Sequence, residues 1–189
     1  MISAGYLYKR VSSRSDWLGK PGLPQRIYSM SPHISRDFAE YASLSLHNGF
    51  WLFDRPEIME DIAAQLGVNL NGLTCFYYEE YDLQYDTERD CWLPVEPDQN
   101  IPTAVELPKK AALQGYDIVT FSVGNSPECS PLSCNGIAAN VTVNHNCLFD
   151  SLDDAKRALE SGLFRNAEPG PCRIVAVHTV DRGADATRK

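Results

Sequence analysis

The chain has 189 residues, 43% of them hydrophobic and 10% aromatic, enough apolar material for one buried core and too much for a disordered segment. No run approaches the roughly 18 apolar residues that would span a bilayer. The formal charge of −8 is unevenly spread: residues 54–98 alone carry a net −10, against +3 before them and −1 after. Such a field repels nucleic acid and anionic membranes and favours either solubility or a basic partner.

The elements follow in chain order. Residues 4–11 are rich in aromatic and branched side chains and predict an opening strand. A loop with two glycines and two prolines (17–24), a short strand (26–30) and a brief helix capped by Ser35 through Ser43 come next. The run Phe50-Trp51-Leu52-Phe53 must be buried or bound. Residues 55–66 predict a helix, with Pro56 in the first turn, a stripe of Ile58, Met59, Ile62, Ala63 and Leu66, and Gly67 as the stop. Residues 75–85 predict a long strand that returns through a turn at 86–90 into 91–95. Further strands are expected at 116–123, 140–149 and 172–180. A second helix over 151–162 is capped by Ser151 and stopped by Gly162. No internal repeat is evident. Strands outnumber helices and do not alternate with them, which predicts an α+β fold: a mixed, mainly antiparallel sheet with two principal helices packed against it. Residues 1–181 are expected to form one domain and 182–189 a loose tail.

Six cysteines stand at 75, 91, 129, 134, 147 and 172. The first charges, Lys9 and Arg10, follow a short apolar stretch, the reverse of a secretory signal. The sequence therefore predicts a cytoplasmic protein with reduced thiols. Cys129, Cys134, His145 and Cys147 are all zinc-ligand types, and a strand over 140–149 would put His145 and Cys147 on one face. The same face carries Val141, Val143 and Phe149, so a core role uses the same geometry. The His-x-Cys spacing also departs from familiar zinc pairings. A thiol enzyme is the second reading: Cys134, Cys147 or Cys129 as nucleophile, His145 as base, and Glu128 or Asp150 to orient it. No protease signature, redox pair, phosphate loop or dinucleotide fingerprint accompanies them, and no cofactor is implied. His178 aligns with Ile174, Ala176 and Val180 and reads as a core histidine.

The most distinctive stretch is 76–86. As a strand it presents Cys75, Tyr77, Glu79, Tyr81, Leu83 and Tyr85 on one face. Tyr78, Glu80, Asp82, Gln84 and Asp86 lie on the other, continued by Glu88 and Asp90 in the turn. Glu79 is a carboxylate among aromatics, which calls for a partner. The acidic face suits either an edge strand that resists aggregation or a docking surface. The sequence reading thus favours a non-catalytic binding or inhibitory domain. It would recognise a basic protein partner through Tyr78, Glu80, Asp82, Asp86, Glu88 and Asp90, with the cysteine enzyme and the zinc-stabilised domain as alternatives.

Overall fold

The computed structural model describes residues 1–13, 24–31, 38, 47–121 and 126–182. They form an antiparallel, curled six-stranded sheet with two principal helices packed against it. The strands are β1 (Ile2–Lys9), β4 (Thr74–Asp86), β5 (Cys91–Pro94), β6 (Ala111–Phe121), β7 (Pro127–Cys129) and β8 (Cys172–Val180), in the order β1-β4-β8-β6-β7 with β5 beside β4. A separate pair, β2 (Ser12–Ser13) and β3 (Arg26–Ile27), lies outside the sheet. The main helices are α1 (Pro56–Leu66) and α3 (Leu152–Glu160), with a single turn, α2 (Pro131–Cys134), between them.

Both helices arise as the periodicity dictates. In α1, Met59 and Ala63 are buried, and Gly67 closes the helix in the left-handed conformation at φ 68°. In α3, the Ser151 hydroxyl accepts from the Asp154 amide, and Ala155 and Leu159 are buried. The expected strands over 75–85, 91–95, 116–123 and 172–180 are present within a few residues. The brief helix expected over 35–43 lies outside the described residues, apart from Phe38. The segment 140–149 is not a strand: residues 144–149 turn, and only Phe149 makes a bridge, to Tyr116.

The halves of the chain repeat one module, contrary to the expectation of no repeat. Asn48-Gly-Phe-Trp-Leu-Phe-Asp54 and Asn144-His-Asn-Cys-Leu-Phe-Asp150 share an Asn-x-x-x-Leu-Phe-Asp pattern. Each precedes a helix that begins two residues later. Each asparagine side chain donates to the residue before a strand glycine, Asn48 to the Ala4 carbonyl (2.8 Å) and Asn144 to the Gln114 carbonyl (2.9 Å). Each also accepts amides from its own turn: Phe50 and Leu52 for Asn48, Asn146 and Leu148 for Asn144. Trp51 and Cys147 hold the matching left-handed position at φ 60° and 64°. The phenylalanines then bridge the equivalent strand residues, Phe53 to Tyr6 and Phe149 to Tyr116. Gly5 and Gly115, at φ 135° and 139°, leave room for that close approach. Gly5 pairs with Tyr78, Tyr78 with Val177 and Val177 with Gly115, so one row crosses four strands about a local two-fold axis between β4 and β8.

The sheet is covered on both faces. Tyr8 donates to Glu60 of α1 (2.7 Å), and Lys156 of α3 lies 4.1 Å over the Tyr81 ring, placing the helices on one face. On the other, residues 28–31 pack over Phe76 through Tyr28 and are pinned by the buried Lys9 ammonium. That ammonium donates to the Ser29, Met30 and Ser31 carbonyls at 2.7–2.9 Å.

Candidate functional site

Double coverage decides the fate of the acidic strand. β4 is no edge: it bonds to β1 and β5 on one side and to β8 on the other. Tyr78 is only 1% exposed and belongs to the core. Glu80 is fully buried, where the Arg173 Nη1 donates to its Oε2 at 3.2 Å. Arg173 also donates from Nε to Gln84 Oε1 (3.1 Å) and stacks 4.1 Å from the centre of the Phe121 ring. The second carboxylate oxygen of Glu80 has no hydrogen-bond partner among the described residues. Burial therefore raises this carboxyl to about 7 even though Arg173 pulls it down. Neither Tyr78 nor Glu80 can belong to an exposed docking ridge. Glu79 lies on the helix face, where its Oε2 is 2.9 Å from the His178 Nε2, and the His178 ring packs against Tyr77. His178 is thus a partnered, half-buried residue rather than a dry core one.

Of the remaining acids, Asp82, Glu88 and Asp90 are exposed and Asp86 half-buried. Asp90 is engaged by the Tyr85 hydroxyl and by Arg165 at 3.0 Å, and both partners hold its carboxyl below the usual range. Asp86 folds the turn by accepting the Glu88 and Arg89 amides at 3.0 and 2.9 Å. Its other oxygen lies 3.6 Å from the exposed Arg89 guanidinium. Beside this turn is a recess of about 280 Å³ lined by Gln84, Asp86, Thr87, Glu88, Leu93, Gly170 and Pro171. Its lining thus combines two carboxylates with two apolar residues, Leu93 and Pro171.

The cysteine group is only partly assembled. Cys129, at the end of β7, is buried, and its thiol is in hydrogen-bond contact with that of Cys134, at the end of α2. That contact and burial push the Cys129 thiol well up. Cys147 is buried in its left-handed turn, and burial, with Asp117 and Cys134 adding to it, pushes its thiol up to about 12. Both shifts disfavour the thiolate, the form that a nucleophile or metal ligand needs. His145 does not join them. Its side chain is exposed and has no hydrogen bond among the described residues, while its carbonyl accepts the Gln25 and Arg26 amides at 2.9 Å. Turning on Asn144 separates His145 from Cys147, where a strand would have aligned them. Glu128 contributes its carbonyl to Ser31 (2.8 Å), and Asp150 is exposed. Among the described residues, no three His, Cys, Asp or Glu side chains converge on a point that could hold a metal ion.

Behind the thiols lies a polar chain the sequence did not reveal. Ser29 donates to the Ser130 hydroxyl and Ser130 to Asp117 Oδ2, each at 2.6 Å. Asp117 also accepts the Met30 and Ile118 amides at 3.2 and 2.9 Å. It is buried, and desolvation raises its carboxyl to about 7 against these hydrogen bonds. Three segments, 29–31, β6 and 128–134, are stitched together here; Ser31 adds a contact of 3.6 Å with the Cys134 sulfur. The one signal available was Asp117 itself, an acid in an otherwise apolar strand. No family model, curated protein or solved structure matches the chain.

Proposed function

We propose that this protein is a binding domain that engages a basic protein surface through the tip of the β4–β5 hairpin, with a lysine or arginine side chain of the partner entering the recess beside Asp86 and Glu88. The observation that supports this reading is the presence of two carboxylates and two apolar residues, Leu93 and Pro171, in the lining of a single recess. An aliphatic stem ending in a cation matches both kinds of group. Asp82 is exposed on the same strand and strengthens the field that steers such a partner. The pair between Asp86 and Arg89 is long and solvent-exposed, so it contributes little and yields readily to an incoming cation. The thiol-enzyme and zinc readings have less support, because His145 is exposed with no hydrogen bond among the described residues and no three ligand-type side chains converge there.

The test compares capture from native lysate by wild-type protein and by a variant carrying Asp82→Asn, Asp86→Asn and Glu88→Gln. Capture is quantified at low and moderate salt and followed by association kinetics with the recovered partner. Proteins retained by wild type should fall about tenfold or more with the variant. Wild-type association should slow as salt rises, since screening reaches about 8 Å at 0.15 M. The variant should keep wild-type stability within about 0.5 kcal/mol. Equal capture by both proteins at both salts refutes the proposal.

A further inference from the structure

A larger recess, about 480 Å³, lies away from the hairpin, where the start of α1 meets the connection before β6 and the end of β8. Its lining is unusual for a chain of net charge −8: Arg55, Lys109, Lys110 and Arg182 face three carboxylates. Two of those carboxylates are already spent. Glu57 accepts from Arg182 at 2.8 Å, an arginine that also reaches Glu60 at 2.9 Å, and Glu106 accepts from Arg55 at 3.3 Å. The third, Asp181, is also engaged. Lys109 and Lys110 have no ion pair among the described residues, and with four cations against three carboxylates the lining keeps a positive excess. The Arg182 Nε is closed off from solvent and has no acceptor among the described residues. The same lining has an apolar part: Leu107, 73% exposed, with Pro108 and Val180. Tyr6, held by its hydroxyl to the Glu106 carbonyl, closes the floor.

We propose that this cleft binds a small anionic molecule, its phosphate or carboxylate group between Lys109 and Lys110 and its apolar body against Leu107 and Val180. The site is independent of the hairpin. A cleft with apolar lining residues and a few convergent charges is the usual form of a small-molecule site. Charge-assisted bonds to exposed ammonium groups set the orientation, and the apolar residues supply the burial. The two paired arginines keep the lining ordered without neutralising the lysines. A cation would meet the same pair as a barrier, which separates this site from the acidic recess at the hairpin.

The experiment titrates the whole isotope-labelled chain with phenyl phosphate, benzoate and the neutral benzyl alcohol, following backbone amide shifts. Saturable shifts are expected at residues 55–57, 106–110 and 180–182 with at least one anion, and at least fivefold weaker binding of the alcohol. A Lys109→Gln/Lys110→Gln variant, altered only at exposed side chains, should bind the anion about tenfold more weakly and keep the wild-type spectrum elsewhere. Tighter binding of phenyl phosphate assigns the site to phosphomonoesters, and tighter binding of benzoate to carboxylates; either outcome sustains the proposal. Equal binding of the alcohol, shifts scattered over other surface lysines, or unchanged affinity in the variant overturns it.

Discussion

Replacing Arg173 with methionine removes the cation that shares the core with Glu80. Methionine retains much of the stem, so the loss is that of the guanidinium, with its bonds to Glu80 and Gln84 and its stacking on Phe121. Both partners are essentially unexposed, at 1% and 0%. Breaking a buried pair by deleting one member costs about 3–5 kcal/mol, because the survivor is left uncompensated in a medium that cannot solvate it. Against a typical total stability of about 5–15 kcal/mol, that is a large fraction. The Glu80 carboxyl already lies above its unfolded value, at about 7, with burial as the main cause and Arg173 as the opposing one. Removing Arg173 raises it further. A carboxyl raised in the folded state stabilises below its unfolded pKa and loses that contribution as pH rises through its folded pKa. The deficit of Arg173→Met relative to wild type should therefore be small near pH 5 and grow as pH rises through 7 to 8. Urea denaturation at both pH values measures it. The double variant Glu80→Leu/Arg173→Met should return to within about 1 kcal/mol of wild type or exceed it, since well-packed apolar side chains often replace a buried pair without loss. A single-variant deficit under about 1 kcal/mol at pH 8, or one unchanged between pH 8 and 5, would refute this reasoning.

The repeat makes a paired prediction. An alanine Cβ at Gly5 would lie 2.7 Å from the Phe53 carbonyl oxygen, and at Gly115 2.6 Å from that of Phe149. With φ also in the range L-residues avoid, Gly5→Ala and Gly115→Ala should each cost at least about 2 kcal/mol in urea unfolding, by similar amounts. A neutral outcome at either would mean the bridge is not tight. Asp117, raised from 3.8 to about 7 by burial, should make wild type lose stability as pH climbs from about 4 to 7. Asp117→Asn should make that part of the profile less steep, with Glu80 supplying the remainder, and an equally steep profile in the variant would assign the slope elsewhere.

Local chemistry made the two helices and the strand at 172–180 legible: an apolar stripe with a cap, or an unbroken apolar run, specifies its own conformation. The acidic strand was misread because alternation tells which residues share a face, not whether that face is covered. What buries Glu80 is an arginine 93 residues away, together with residues 28–31 on the same side of the sheet. The stretch 140–149 failed for the opposite reason. Its Val141, Val143, His145, Cys147 and Phe149 alternate by coincidence, while the Asn144 side chain ties its own turn and overrides the period. The candidate zinc or thiol site inherited that error, so its cysteines gather and its histidine does not. The repeat was present in the letters, Asn-x-x-x-Leu-Phe-Asp twice, but spread over too few positions to stand out without the paired hydrogen bonds.

The duplicated architecture also bears on how the chain assembles. Each half closes its own strand pair, β1 with β4 and β6 with β8, and the sheet connects the halves only where β4 meets β8. Two chains can satisfy the same edge reciprocally, with β4 of one pairing with β8 of the other, at no loss of native contacts. The connection at 95–110 between β5 and β6 is what favours closure within one chain. A tether of this length, hydrogen-bonded to the first half at Gly49 and Asp54, holds the second half at an effective concentration of about the millimolar range. Below that concentration the monomer prevails. A deletion that leaves the tether too short to span the gap would turn the same surface into the interface of an exchanged dimer.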